Sequence, residues 1–116
     1  MTTVSSHVLD TALGRPASGM RARLQMLEAV DESQHWKTLG EQTTDDDGRI
    51  RQFVQTPIGA GVYRVCFDTK TYFEASGHPV FYPQVEVVFA VEGTGDDHHH
   101  VPLLLSPFGY STYRGS

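Results

Sequence analysis

The sequence predicts an all-β fold, a two-sheet β-sandwich carrying one short helix. Three observations predict it. Turn signals recur about every eight to twelve residues, the spacing of a sandwich or barrel. "MRARLQML" alternates with a period of two, setting Met20, Ala22, Leu24 and Met26 against Arg21, Arg23 and Gln25, as a half-buried strand must. Only "DTKTYFEASGHP" carries helix boundaries, with Asp68 and Thr69 as N-cap candidates and Gly77 and Pro79 as stop signals.

Taken in order, "HVLD" belongs to a first strand and "LGRPASG" to a loop, after which the alternating segment forms the second strand. "HWKTLGEQTT" reads as a weaker strand, and "DDDG" breaks the chain as a solvated acidic turn. "RIRQFV" restarts it on Ile50 and Phe53, "TPIGAG" turns it, and "VYRVCFD" is a strand rich in β-formers. The two-turn helix follows. "VEVVFAV", apolar on both faces, is expected at the centre of a sheet. "HHVPLLLS" and "YSTYRG" pair across the turn "SPFG".

A chain of 116 residues fits a single domain, 1–116, with a core that needs no metal or disulfide staple. The net charge of −5 argues against nucleic acid as a partner, since phosphate neutralisation needs a cationic face. No apolar run reaches bilayer length, and "MTTVSSHVLD" lacks the charged and apolar regions of a signal peptide. A soluble cytoplasmic protein without membrane contact is expected. Cys66, the one cysteine, reads as a small hydrophobe within a strand.

Six histidines are the candidates for chemistry. On a strand His98 and His100 share one face and His99 takes the other. An H-x-H pair with His7 as a third ligand is one way to hold zinc, although the CxxC and HExxH frames are missing. His98 and His99 read as solvated strand-end residues. His100 stands before "VPLLLSP", where partial desolvation would keep an imidazole neutral and basic, and His7 stands similarly before "VLD". Ser111, Thr112 and Ser116 invite a Ser–His nucleophile, but no G-x-S-x-G elbow surrounds them. Arg49 reads as a solvated turn cation. On residue types alone, proton transfer at strand ends, zinc binding and purely structural histidines all stay open.

Three stretches carry the reading further: "HVLDTALGRPA", "DGR" and "HVPLLLSPFGYSTYRGS". With "CFDTKTYFEASG" and "FYPQVEVVF", they resemble the transthyretin-related family, in particular its 5-hydroxyisourate hydrolase branch, marked by the closing Tyr-Arg-Gly-Ser. The resemblance implies a transthyretin-like (prealbumin-like) sandwich and opening of the six-membered ring of 5-hydroxyisourate to 2-oxo-4-hydroxy-4-carboxy-5-ureidoimidazoline. It implies His7, Arg49 and His100 as catalytic residues and Tyr113, Arg114 and Ser116 as substrate-binding residues, with no metal or other cofactor. It also implies a homotetramer with sites in a channel between dimers. One departure is "HHH", where many relatives have an aromatic between two histidines. A regular strand would put Tyr113 and Arg114 on opposite faces, and Gly115 is the residue that could permit a turn. The rival readings are a non-catalytic transthyretin-like carrier and a zinc hydrolase using His7, His98 and His100.

Overall fold

A computed structural model of the chain describes residues 2–93 and 97–116. The described residues form the expected two-sheet sandwich. In chain order the elements are β1 (Thr2–Asp10), β2 (Arg15–Pro16), β3 (Arg21–Val30), β4 (Ser33–Thr43), β5 (Arg49–Ile50), β6 (Gly61–Phe67), α1 (Thr69–Ser76), β7 (Val85–Val91), β8 (Asp97–Ser106) and β9 (Gly109–Thr112). One sheet runs β2-β1-β8-β9, with β5 also paired to β1; the other runs β4-β3-β6-β7.

Alternation fills the space between the sheets. Val4, Val8, Ile50, Leu103 and Leu105 point inward from the first, and Ala22, Leu24, Tyr63, Val65 and Phe67 from the second. The period of two in β3 holds through Leu24 and then breaks. A bulge between Leu24 and Gln25 buries Gln25 and leaves Met26 only half-buried. Helix α1 starts and stops where its caps direct. Asp68 Oδ1 accepts from the Thr71 N–H at 3.2 Å, and Gly77 closes the helix in the left-handed conformation at φ 76°. Phe73 is the helical side chain sealed into the core.

Three expectations need correction. "VEVVFAV" is not central: β7 lies at the end of its sheet, paired with β6, and Val88 on its outer side is 56% exposed. Its double-sided apolarity records surface that prefers to leave water, whatever covers it. "RIRQFV" contributes only Arg49 and Ile50 to a strand, and Phe53 reaches the core from irregular chain. "YSTYRG" stops pairing at Thr112; beyond it a single bridge joins Gly115 to His100, the Gly115 N–H donating to the His100 carbonyl at 2.8 Å.

Strand β1, which carries the site, is anchored at its far end by a buried carboxylate. Asp10 Oδ1 accepts from the N–H groups of Ala12 and Leu13, both at 3.0 Å, and Oδ2 from the Tyr72 hydroxyl at 2.6 Å. Burial and the adjacent Asp10 charge hold the Tyr72 phenol far above its ordinary pKa, so it stays a donor. Tyr72→Phe leaves a buried carboxylate one donor short. The expected cost is about 1.5–3 kcal/mol, read as a lowered urea midpoint at unchanged slope; an unchanged midpoint would show that this bond does not anchor β1.

Candidate active site

The site grows from strand phase and one long-range pairing. In β1, Val4, Ser6 and Val8 face the core, which turns Thr3, Ser5 and His7 to the outer face. In β8, Val101 and Leu103 are buried, so His98 and His100 share the outer face. The two strands run parallel in a register that sets Thr3 beside His98 and Ser5 beside His100. On the other edge of β1, β5 buries Ile50 and sets Arg49 beside His7.

The acidic turn before β5 is more than a solvated break. Asp45 Oδ1 accepts from the backbone N–H groups of Arg49 and Asp47, both at 2.9 Å, and the Asp45 N–H donates to the Arg49 carbonyl at 3.0 Å. The Arg49 N–H, then the Asp47 N–H and the charges of Arg51 and Arg49, hold the Asp45 carboxyl below its usual range. Gly48 is required here. It sits at φ 76°, and a side-chain carbon on it would lie 2.4 Å from the Val8 carbonyl oxygen.

These elements enclose a cleft of about 260 Å³ lined by Ser5, Arg49, Arg51, His98, His100 and Ser116, among others. Three of the expected site residues, Arg49, His100 and Ser116, thus share one cleft. His7 stands at its side, and its Nε2–H donates to the Asp47 carbonyl at 2.8 Å, which leaves Nδ1 as the basic nitrogen of the neutral ring. Tyr113 and Arg114 line an adjoining groove of about 270 Å³ that shares His100. Both can face it because strand pairing has ended at Thr112. The Arg114 guanidinium also lies 3.6 Å from the Asp97 carboxylate.

Gly115 is a glycine for a reason other than a turn. Its φ is not in the positive range, but a side-chain carbon there would lie 2.4 Å from His100 Cδ2. The bare Cα lets segment 113–116 lie against the His100 ring.

The histidine run divides differently from the sequence expectation. His99 is not solvated: it is 7% exposed and tilts against Phe89 with ring centroids 6.0 Å apart. His98 is exposed but held at both ring nitrogens, Nδ1 at 2.5 Å from Thr3 Oγ1 and Nε2 at 2.8 Å from Ser5 Oγ. Ser5 Oγ reaches on to His100 Nδ1 at 2.7 Å. Among the described residues, no group of three or more His, Cys, Asp or Glu side chains converges to hold a metal ion. Ser5, Asp45 and Arg51 are site residues that sequence reasoning missed. Only Ser5 left a signal, two residues from His7 and so on its face.

Burial holds the His100 imidazole below its ordinary pKa, with the Arg49 charge next in weight, then His7 and His98. The ring is therefore neutral near pH 7. A histidine whose pKa falls on folding binds protons less readily in the folded state, so its contribution to stability is lost as pH drops through the ordinary histidine range. An NMR titration should place His100 below the ordinary 6.5, and Arg49→Gln should move the midpoint upward. A wild-type midpoint at or above that value would refute this electrostatic account.

Comparison with known proteins agrees with the geometry. Residues 4–115 match the HIUase/Transthyretin family. The chain is 47% identical over 115 residues to 5-hydroxyisourate hydrolase of Mus musculus, covering 97% of this chain and 94% of that protein. Its fold matches the 5-hydroxyisourate hydrolase of Klebsiella pneumoniae with a TM-score of 0.86 at 35% identity over 100% of both chains. It also matches transthyretin from Sparus aurata with a TM-score of 0.88 at 34% identity, covering 97% of this chain and 95% of that one. The chain belongs to the HIUase/Transthyretin family.

Proposed function

We propose that this chain is a 5-hydroxyisourate hydrolase, a single domain that opens the six-membered ring of its substrate by water attack on a ring carbonyl. The observation that carries this reading is the cleft itself. A neutral histidine, an arginine and Ser116 line it together, and a second histidine is paired beside that arginine. Curated relatives of high identity bear the name of that activity.

The reaction needs a base, a cation for the developing oxyanion and a proton for the leaving nitrogen. Nδ1 of His100 is engaged by Ser5, so Nε2 is the nitrogen that remains to take a proton from water. The attacking oxygen bonds to the carbonyl carbon, the ring C–N bond breaks, and the nitrogen leaves with a proton. The planar fork of Arg49 holds the carbonyl edge and the negative charge that builds on it. Nδ1 of His7, beside Arg49, takes the remaining hydroxyl proton of the adduct and passes it to the leaving nitrogen. Ser116 holds substrate within the cleft, and Tyr113 and Arg114 hold it from the adjoining groove. No step in this scheme calls for a metal or a covalent intermediate.

The same reading includes a homotetramer with sites between dimers and a cytoplasmic location. Strands β7 and β9 end their sheets, and an aromatic patch flanks them: Phe81 meets Phe108 at 6.1 Å, and Tyr82 meets Tyr110 at 5.3 Å between ring centroids. Open strand edges beside exposed aromatics are surfaces that a second copy can cover. Cys66 is a free, buried thiol, in keeping with a reducing compartment.

Purified protein should accelerate decay of freshly generated 5-hydroxyisourate, equally with and without chelator. Binding without turnover would support a carrier, and loss of activity with chelator a zinc hydrolase. His7→Ala and His100→Ala should each lower kcat by about 10²–10⁴-fold, with sedimentation reporting an intact tetramer. Gly115→Ala should cost about 10²-fold, because the added carbon must displace His100 or the segment against it. Wild-type rates in all three variants would remove these residues from the mechanism.

A further inference from the structure

The outer face of β1 and β8 carries an unbroken line of hydrogen bonds leading away from His100. It runs from His100 Nδ1 to Ser5 Oγ at 2.7 Å, from Ser5 Oγ to His98 Nε2 at 2.8 Å, and from His98 Nδ1 to Thr3 Oγ1 at 2.5 Å. His100, Ser5 and His98 line the cleft, and the line ends at half-buried Thr3 beside exposed His98. The parallel register aligns the four residues in two pairs, so the line is built into the sheet.

Donor counting makes this line act as a unit. The Ser5 hydroxyl has one proton, and each neutral imidazole has one N–H. If His100 donates from Nδ1, Ser5 donates to His98 Nε2 and His98 donates from Nδ1 to Thr3. If Ser5 donates to His100 instead, every bond reverses and both rings carry their proton on Nε2. The tautomers of His98 and His100 are therefore coupled. Only the first arrangement leaves His100 Nε2 bare, and that is the state a base needs.

We propose that Ser5, His98 and Thr3 form a hydrogen-bond relay that holds His100 in its Nδ1–H tautomer and so keeps Nε2 bare for the proton of the attacking water. Ser5 and His98 are positioning residues acting through His100. This rests on the ring-opening reading above. Opening a cyclic amide to a carboxylate consumes one water and releases one proton near neutral pH. When Nε2 of His100 takes a proton from water, the Nδ1–H stays hydrogen-bonded to Ser5 Oγ and the tautomers of the line are unchanged. Nε2 then gives that proton up to solvent as product leaves, and the ring is neutral again with Nε2 bare. The charged groups facing His100 favour that release: Arg49 from β5 and His7 from β1 both oppose an imidazolium there, as does His98 itself.

Two measurements test the relay. The first is ¹⁵N NMR of the imidazoles in the neutral range, which does not depend on activity. Wild type should show His100 protonated at Nδ1, and Ser5→Ala should shift it toward the Nε2–H form. The second is kinetics. Ser5→Ala and His98→Gln should each lower kcat about 10–100-fold, as loss of such supporting partners does, with KM nearly unchanged. Ser5→Thr keeps the hydroxyl and should restore kcat. An unchanged His100 tautomer in Ser5→Ala overturns the proposal whatever the activity, and so does wild-type kcat in both variants. If wild type fails to open the ring but its His100 tautomer depends on Ser5, the hydrolase reading falls while the tautomer coupling holds.

Discussion

Parallel pairing of β1 with β8 is the constraint on which the site depends. Its register runs without a break from Thr2 beside Asp97 to Asp10 beside Leu105. These strands come from opposite ends of the sequence, and their pairing sets residues 3 to 7 beside residues 98 to 102. Because side chains alternate at a period of two, a slip of one residue would carry His98 and His100 into the core and leave His99 outside. What forbids the slip is the apolar set Val4, Val8, Val101, Leu103 and Leu105, together with the buried Ser6 hydroxyl, which donates to the Val101 carbonyl at 2.7 Å. The hydrophobic core thereby fixes a polar arrangement on the opposite face of the same strands.

That arrangement is electrostatically one-sided. Arg49, Arg51, His98 and His100 line the cleft, His7 stands beside it, and the turn carboxylate of Asp45 is spent on backbone N–H groups. A protein with a net charge of −5 thus keeps a locally cationic recess for a ligand rich in carbonyls. The same field adds to burial in depressing the affinity of His100 for protons.

Much of the fold was legible because its signals are local. The cap residues of α1, the alternation of β3 up to Leu24 and the turn at "DDDG" depend on neighbours within a few positions. Gln25 defeats the pattern because its bulge is imposed by pairing with β4. The edge position of β7 could not be read either, since Val88 looks the same whether a sheet or another molecule covers it. In the site, the shared face of His98 and His100 followed from strand phase. The environment of His98 did not, because Thr3 and Ser5 lie more than ninety positions away in sequence. Arg49 resembled any turn cation, and only its likeness to a family marked it.

The bare Cα of Gly115 has a further meaning for the imidazole it touches. On one edge of the His100 ring, Nδ1 is held by a hydroxyl; on the other, Cδ2 meets a backbone with no space for even one more carbon. A ring gripped on both edges cannot turn over about its Cβ–Cγ bond without breaking the one contact and colliding with the other. Its two nitrogens therefore keep fixed addresses, one toward the sheet and one toward the cleft. The orientational entropy of a freely rotating ring is thus lost once, when the chain folds.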